Sequence, residues 1–539
     1  MAKREDQIQE HSRPMTSSCS PMVDWSDQTR DQDFERLASQ EWDLLVVGGG
    51  ITGCGIALDA ASRGIKVALL EQYDFSSGTS SRSSKLIHGG LRYLKQGQLW
   101  TTLESSREKG LLRKLAPHLV RDLPFLFPIS GGWKQRTIVG LGLWVYDLMA
   151  RRPRGLLHQH LSTQETEKMI PGLSEKYDGS LLYFDAETDD ARLTVHVAKR
   201  AVMEGALLLN YAKVEKFLLN GDSAPGSAIS GAMVRDTISG KEYTLRAKLA
   251  INATGVWCDE TRERAHVSED KLVQASKGAH ILIPYERLPI SGAAALGKPG
   301  SNRLLFLIPW EGRTLIGTTD DFYDGPLNNP QADEIETASL LEQVNSALPQ
   351  IKLTKADVVG SFAGLRPLAK SEHQDSSKVS REERIHEDET GLITILGGKL
   401  TTYRQMAENV VNLVAKKLGR SFPRCRTKSI SLFASPVSKD PIQSSFGSEA
   451  MRVQRIADEC PRWRQPMVPG QSPIYAAAIY ALRYERAVKL SDLLLRRTRL
   501  GVLDWKGTQV SALQIANTLA EEARWNPERE VAGLLEEQP

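Results

Sequence analysis

The chain has 539 residues, of which 41% are hydrophobic and 25% charged, so it is long and apolar enough for two or three domains with sizeable cores. Its 69 basic and 66 acidic residues give a net charge of +3, which offers no whole-chain reason to propose a nucleic-acid partner. The five cysteines lack C-x-x-C spacing, a pattern typical of a reducing compartment, and we predict no metal site.

Residues 1–41 are polar, contain Pro14 and Pro21, and mix acidic with basic side chains. This composition predicts a disordered polar tail. The segment lacks the apolar stretch of a secretory signal and has too many acidic residues for a mitochondrial transit peptide. We therefore expect a cytoplasmic protein.

Residues 42–71 are predicted to form a strand, a tight turn, a helix and a second strand. Asp43–Val47 is an apolar run of strand length, and Gly48–Gly53 fits the pattern G-x-G-x-x-G. Ile51–Arg63 is rich in small residues, and Val67–Leu70 is the second strand. A glycine-rich turn also occurs as an ordinary tight connection, but this order of elements favours a dinucleotide site.

The glycines of this turn have distinct physical roles. Gly48 permits the bend, Gly50 lets the backbone approach a pyrophosphate, and Gly53 lets helix and strand pack closely. Glu71 ends the second strand about 20 residues on, where a carboxylate can accept hydrogen bonds from a ribose. Because Glu71 would repel a 2′-phosphate, the segment favours NAD or FAD over NADP.

The next stretch, Ser76–Leu94, is dense in hydroxyl side chains and glycine, and it carries Arg82, Lys85, His88 and Arg92. The interleaved leucine and isoleucine residues indicate a backbone held against a core while the polar groups point elsewhere. We interpret this stretch as a loop that meets a polar ligand.

The most apolar helical stretch is Ile138–Ala150, which runs directly into Arg151–Arg154. It is shorter than the roughly 18 apolar residues of a membrane span, and it contains Asp147. Two interpretations remain: a buried helix, or an interfacial helix with a basic end. The buried helix is favoured.

Further along, periodicity predicts a strand at 181–185, an amphipathic helix at 191–205 and strands at 212–219, 232–236 and 248–252. From Gly278 to Thr319 the pattern changes to alternating strands, which predicts an antiparallel sheet with a hairpin turn at Glu311–Arg313. A helix near 335–348 follows, and Leu392–Val414 is predicted to be strand, Gly397-Gly398 turn and helix.

Beyond roughly Ser435 the sequence predicts a helical domain. Its arginines at 483, 486, 496, 497 and 499 could form a basic face toward lipid or another subunit, but a solvated helix face is more usual.

Three glycine-bearing strand ends, at Gly48–Gly53, Thr254-Gly255 and Gly397-Gly398, would suit one extended cofactor that touches a single domain repeatedly. This favours FAD over NAD.

At this point several motifs resemble one family. They are SSKLIHGGLRYL (83–94), ETDDARLTVHVAKRA (187–201), NATGVW (252–257), IPW with IGTTDDFYDG (308–325), AGLRPL (363–368) and GGKLTTYR (397–404). Together they are similar to the FAD-dependent glycerol-3-phosphate dehydrogenases of the quinone-linked, aerobic type. The resemblance runs in order over roughly residues 42–404 and reappears in the helical region.

The resemblance implies a set of site residues. Substrate phosphate would meet Arg92, Arg366 and Arg381, whose forked guanidiniums suit phosphate, with a hydroxyl from Tyr93. His280 is the candidate general base, and Lys399 the cation beside flavin and substrate. Arg366 also polarises the substrate. Besides the glycine turn, Glu71, Gly255, Gly398 and Lys399, the FAD contacts implied are Ser84, Lys85, His88 and Val214.

The predicted fold is α/β, with a doubly wound, Rossmann-like FAD-binding domain, an interleaved antiparallel β substrate domain and an all-helical C-terminal domain. We predict the FAD-binding domain at 42–270, with inserted substrate-domain segments at about 95–184, and its return at 357–430. The substrate domain would occupy 271–356, and the helical domain 431–539.

The implied activity is the oxidation of sn-glycerol 3-phosphate to dihydroxyacetone phosphate, by hydride transfer from C2 to flavin N5 and onward transfer of electrons to quinone. Peripheral association with the inner face of the cell membrane and a homodimer are further expectations. Three alternatives stay open: an oxidase using O₂, a flavoenzyme acting on an amino or 2-hydroxy acid, and a non-catalytic nucleotide-binding protein.

Overall fold

A computed structural model of the chain describes residues 24–90, 98–130, 132–149, 156–173, 177–220, 227–267, 270–297, 304–370 and 383–539. The strands described, numbered in chain order, are β1 (Glu41–Val47), β2 (Val67–Leu70), β3 (Leu86–Ile87), β4 (Arg121–Pro128), β5 (Gln159–Leu161), β6 (Ser180–Glu187), β7 (Leu207–Leu209), β8 (Ala212–Leu219), β9 (Ile229–Asp236), β10 (Glu242–Asn252), β11 (Val273–Pro284), β12 (Ala293–Gly297), β13 (Leu304–Trp310), β14 (Arg313–Gly317), β15 (Asp321–Phe322), β16 (Gly360–Ala369), β17 (Arg384–Glu387) and β18 (Ile393–Leu396).

The α-helices described are α1 (Arg30–Ser39), α2 (Ile51–Ser62), α3 (Leu99–Leu115), α4 (Gly132–Met149), α5 (Thr163–Met169), α6 (Asp190–Met203), α7 (Cys258–Glu263), α8 (Glu334–Ala347), α9 (Tyr403–Lys417), α10 (Pro441–Phe446), α11 (Ala450–Glu459), α12 (Tyr475–Tyr484), α13 (Leu500–Leu503), α14 (Trp505–Ala523) and α15 (Pro527–Glu536). A π-helical stretch, Asp492–Arg497, precedes α13.

The first sheet is the predicted nucleotide-binding layer. Its strands run in the order β17-β18-β10-β1-β2-β7, and all neighbours from β18 to β7 are parallel. Strand β1 is buried along Trp42–Val47, as expected for a parallel strand covered on both faces. Ile56, Val197 and Val410, from α2, α6 and α9, lie in one core cluster on this sheet. The parallel order places the ends of β1, β10 and β18 side by side.

The second sheet is largely antiparallel, and β16, β11 and β14 lie side by side at one end of it. β11 pairs with β14 from His280↔Gly317 to Pro284↔Arg313, and with β16 from Val273↔Ala369 to Leu282↔Gly360. The predicted hairpin turn lies at Glu311-Gly312, where both residues have positive φ, and Arg313 already belongs to β14. The alternating strands of the sequence therefore do form a separate antiparallel layer.

Two strands lie in the second sheet although the predicted division puts them in the FAD-binding domain, and the first of them is β3. Strand β16 lies in the second sheet, although residues 357–430 were predicted as the return of the FAD-binding domain. The chain re-enters the first sheet only at β17 and β18. An isolated apolar strand does not reveal which sheet it joins, because that depends on pairing with distant residues.

The prediction of a disordered tail is wrong for residues 24–41. Helix α1 lies there, and Phe34 and Leu37 are fully buried against the first sheet, with Trp25 buried in the core on its other side. Arg30 donates to Asp236 at 2.7 Å and to Asn210 at 3.2 Å. Burial of Trp25, Phe34 and Leu37 stabilises this segment in the fold, although its average composition is polar.

The favoured interpretation of 138–150 as a buried helix is also wrong. On α4, Leu143 and Tyr146 are buried, but Ile138, Leu141, Trp144 and Leu148 are 73%, 65%, 58% and 65% exposed. The helix therefore has a second, large apolar surface that is exposed at the outside of the protein. Across the described ranges, no helix is both long and apolar enough to cross a membrane.

The C-terminal domain is helical, as predicted, but its arginines do not form a basic face. Arg486, Arg496, Arg497 and Arg499 are all buried, and each makes hydrogen bonds or ion pairs within the protein. Arg483 bonds Glu459 and Glu522 of the same domain. Helical spacing alone predicted a solvated face, because it cannot show that another domain covers it.

Candidate active site

An open cleft lies at the ends of β1, β10 and β18. Of the predicted cofactor residues, it is lined by Gly48, Gly50, Glu71, Val214, Gly255, Gly398 and Lys399. The segment Asp74–Lys85, here called the cofactor segment, contributes Ser77, Gly78, Thr79 and Ser80. The three glycine-bearing strand ends predicted to share one ligand do meet in one cleft.

At Gly48 and Gly53 the glycine turn packs so closely against neighbouring backbone that a side chain would not fit, as the sequence predicted. Gly48 has a φ of 111°, and a Cβ there would lie 2.6 Å from the carbonyl oxygen of Ala253 on the neighbouring strand end. A Cβ on Gly53 would collide with the carbonyl oxygen of Gly48. The bend and the close helix packing predicted for these two glycines are therefore present, and the start of α2 faces the cleft.

Glu71 lies at the end of β2, where it is nearly buried. Its carboxylate accepts hydrogen bonds from the amides of Gly49, at 2.6 Å, and Tyr73, at 2.8 Å. Burial raises the pKa of Glu71 to about 7, although these two amides oppose the shift. Both oxygens keep a second lone pair, so the side chain can still accept from a ribose.

These residues fit an FAD molecule. The cleft runs from the glycine turn and α2, where backbone amides suit a pyrophosphate, past Gly255 to Gly398 and Lys399. Glu71 and Val214 line it too. The positive φ of Gly398, 90°, and the Met406 side chain beside it leave no room for a larger residue there.

The second sheet brings His280 next to the cofactor segment. Its Nε2 lies 2.9 Å from Ser84 Oγ, and its ring stacks on Phe362 with centroids 4.8 Å apart. His280 Nδ1 is buried without a hydrogen-bond partner among the described residues. Burial, helped by the charges of Arg366 and Lys85, lowers the pKa of His280 well below 6.5. Burial therefore favours the neutral imidazole, in which one ring nitrogen donates a hydrogen bond and the other accepts one.

Arg366 lies on the same face of the sheet as His280, because β11 and β16 pair Ser276 with Arg366 and His280 with Phe362. Its guanidinium donates to Asp320 at 3.1 Å and to Thr318 Oγ1 at 3.2 Å. The neighbouring residue, Pro367, lines the cleft. This pairing brings a permanent cation and a neutral imidazole together beside the cleft.

Lys85 and His88, two predicted FAD contacts, do not line the cleft. Lys85 is fully buried, and its ammonium bonds both carboxylate oxygens of Asp190 at 2.9 Å. Burial lowers the pKa of Lys85 to about 8. The amide of His88 donates to Thr401 Oγ1, two residues after Lys399. A direct contact of Lys85 with a cofactor would therefore have to come from its backbone.

Arg92, Tyr93 and Arg381, predicted to bind substrate, lie outside the described residues. Within the part of the chain that the structure does describe, no group of histidine, cysteine, aspartate and glutamate side chains could hold a metal ion, and the assignment of no metal stays a prediction.

The residues of the cleft wall that sequence reasoning did not name include Trp257, Thr261 and Arg264. They lie in or beside α7, directly after the strand end Ala253–Gly255. Arg264 donates to the carbonyl of Val214 at 3.0 Å, which ties the two walls together. Their position in the sequence could have indicated them, because residues that directly follow a glycine-bearing strand end lie at the cofactor edge of the sheet.

Two family models match the chain. The one described as FAD dependent oxidoreductase covers residues 43–404, and the one described as the C-terminal domain of alpha-glycerophosphate oxidase covers residues 434–530. The first spans the glycine turn, the second sheet and Lys399, and the second spans the helical domain. The matched regions therefore agree with the sheets and helices of the fold.

Two relatives match nearly the whole chain. The aerobic glycerol-3-phosphate dehydrogenase of Staphylococcus aureus (strain USA300) is 35% identical over 499 residues, which are 87% of this chain and 88% of that protein. The glycerol-3-phosphate dehydrogenase from Bacillus halodurans, solved in complex with FAD, is 30% identical, with a TM-score of 0.78 and coverage of 95% of this chain and 97% of that chain.

A more distant structure shares the fold alone. The L-alpha-glycerophosphate oxidase from Mycoplasma pneumoniae with FAD bound is 17% identical, with a TM-score of 0.56 over 73% of this chain and 98% of that chain. Three findings agree. Both family models match, the two closer proteins cover most of this chain, and the cleft fits FAD. The chain belongs to the family of FAD-dependent glycerol-3-phosphate dehydrogenases.

Proposed function

We propose that this protein oxidises sn-glycerol 3-phosphate to dihydroxyacetone phosphate and passes the electrons to a membrane quinone. The observation that carries the proposal is that Arg366 and His280 lie on the same face of the second sheet, beside the FAD cleft. When bound, FAD supplies the hydride acceptor. The chain supplies what remains: cations for the phosphate and a base for the hydroxyl proton.

In this proposal each residue has a defined task. Arg366 binds the phosphate through its forked guanidinium and polarises the substrate, and His280 accepts the proton of the C2 hydroxyl. Because the Ser84 hydroxyl is hydrogen-bonded to Nε2 in the free protein, the substrate hydroxyl has to displace it before this nitrogen can take the proton. Lys399 at the cleft stabilises negative charge beside the flavin. Arg92, Tyr93 and Arg381 remain proposed substrate ligands.

The reaction is tested by the colour of the bound flavin. Without oxygen, glycerol 3-phosphate should bleach the flavin absorbance band of the purified holoenzyme. Glycine, proline and a 2-hydroxy acid should leave it unchanged, since a carboxylate would have to replace phosphate at the arginines. If the band bleaches only with one of these three, the proposed substrate is wrong. Absence of any flavin band would favour a non-catalytic nucleotide-binding protein.

The electron acceptor is a separate proposal. Quinone is favoured over O₂ by the outward apolar face of α4, which gives the protein a surface suited to lipid. In air, the holoenzyme with substrate should reduce a soluble quinone analogue much faster than it forms hydrogen peroxide. Stoichiometric peroxide with little quinone reduction would identify an oxidase instead.

Membrane association through α4 is expected to depend on Leu141 and Trp144. Burial of an exposed leucine or tryptophan contributes about 1.5–3 kcal/mol, so L141E/W144E should reduce sedimentation with anionic lipid vesicles at least tenfold. The matched control is Val510→Glu, because Val510 is 82% exposed on α14 of the C-terminal domain. Equal sedimentation of the double variant and the control would exclude α4. The inner face of the cell membrane and the homodimer stay predictions.

A further inference from the structure

The cofactor segment, Asp74–Lys85, forms one wall of the FAD cleft, yet it contains little regular structure beyond a short 3-10 turn and is fixed from outside. Both Ser76 and Lys85 adopt left-handed backbone conformations, with φ of 68° and 61°. Such conformations cost energy in residues with a Cβ and persist only where surrounding contacts hold them. Some of these contacts come from the FAD-binding domain and the second sheet, and others come from the C-terminal domain.

At the first end, Asp74 is completely buried and meets two arginines of the π-helical stretch. Arg497 donates to both carboxylate oxygens, at 2.8 and 2.9 Å, and Arg496 donates to one of them at 2.7 Å. Although burial opposes it, these guanidiniums hold the pKa of Asp74 below its usual range. A forked, two-bond contact fixes both the position and the orientation of the carboxylate.

At the second end, Arg499 reaches the same segment. Its guanidinium donates to the carbonyl of Ser81 at 2.8 Å and to Asp190 at 3.3 Å. Asp190 in turn accepts from the Ser83 amide, at 2.9 Å, and from Lys85. Between these two ends lie the cleft-lining residues 77–80. The C-terminal domain therefore contacts the segment on both sides of these cleft-lining residues, through Asp74 and through Ser81.

We infer that Arg497 and Arg499 are positioning residues for FAD, which act by holding the cofactor segment in its binding conformation. Neither lines the cleft, so neither is expected to touch the cofactor. The inference concerns the cofactor alone and does not depend on the proposed substrate or electron acceptor. The competing explanation is that the arginines only join two domains, in which case FAD binding would be insensitive to their exact geometry.

The test uses Arg497→Lys and Arg499→Lys in the full chain. Lysine keeps the positive charge but cannot make the forked contact. The matched control is Arg483→Lys, since Arg483 bonds Glu459 and Glu522 inside the C-terminal domain and does not reach the cofactor segment. Two quantities are measured: the FAD dissociation constant by flavin fluorescence, and amide hydrogen exchange of peptides spanning residues 74–85 in the FAD-free protein.

Each test variant should weaken FAD binding by about tenfold or more, which corresponds to one lost charged hydrogen bond. Exchange of the 74–85 peptides should accelerate in both, while the control stays within about twofold of the parent protein for both measurements. If FAD affinity and exchange in the test variants match the control, the arginines are domain contacts only and the inference is wrong.

A buried ion pair that loses its geometry can also prevent folding. If Arg497→Lys does not yield folded protein, Arg499→Lys decides the test, because Arg499 holds the other side of the segment through the Ser81 carbonyl and Asp190. Weaker FAD binding with faster 74–85 exchange in Arg499→Lys would support the inference, and values equal to those of the control would overturn it.

Discussion

Replacing Arg366 by alanine is expected to raise the KM for glycerol 3-phosphate by about a hundredfold while FAD stays bound. A hydrogen bond to a charged group contributes about 1.5–3 kcal/mol, and the guanidinium can offer two to a phosphate. Arg366 bonds Thr318 and Asp320, which aim its guanidinium along the face of the sheet that carries His280. Steady-state kinetics and the flavin absorbance of the purified variant test this expectation.

The matched control for this variant is Arg287→Ala. Arg287 is an exposed arginine that bonds Asp357 and lies away from the cleft lining. Its loss should change KM less than about twofold, because exposed ion pairs contribute little. An unchanged KM in Arg366→Ala would remove Arg366 from the phosphate site, and loss of FAD together with a lower melting temperature would identify it as a structural residue.

Replacing His280 by glutamine is expected to lower kcat by about 10²- to 10⁴-fold, the usual contribution of a general base. Glutamine can keep the hydrogen bond to Ser84 but cannot take up a proton at neutral pH. The substrate KM should change much less than kcat. The matched control is His386→Gln, a part-exposed histidine on β17 that bonds Asp388, and its kcat should be that of the parent protein.

The pH dependence provides a second measurement on His280. Because its pKa lies well below 6.5, protonation of this imidazole should not reduce kcat/KM between about pH 8 and pH 6. The unfolded chain binds this proton more readily than the folded one, so the free energy of unfolding should fall as the pH drops below about 6.5. His280→Gln should weaken that fall in urea unfolding. A kcat that survives the substitution would exclude His280 as the base.

Much of the cofactor site was predictable from the sequence because its signals are local. The bend at Gly48, the close packing at Gly53 and the carboxylate of Glu71 all lie within one strand-turn-helix-strand unit. The strand ends at Gly255 and Gly398 could be added because parallel strands finish at the same edge of a sheet. Each of these inferences needed only neighbouring residues and one rule of sheet geometry.

Other features of the structure could not be predicted, because they depend on contacts between residues that are far apart in the sequence. The apolar face of α4 points outward because Tyr146 and Asp147 occupy its inner side, which periodicity alone does not reveal. The basic residues near the C-terminus are buried because carboxylates such as Asp74, more than 400 positions away, meet them. Likewise, Arg366 and His280 become neighbours only through the pairing of β11 with β16.

The buried charges around Asp190 have a consequence for how the sequence can change. Lys85 and Arg499 are two cations that face Asp190 and the adjacent Asp189, so the group is formally neutral. A single substitution that removes one charge would leave its partner isolated where water has little access. We therefore expect these four positions to covary among relatives, with charge-removing changes arising in compensating pairs. Statistical coupling between residues 85 and 190 should then exceed that of solvent-exposed ion pairs.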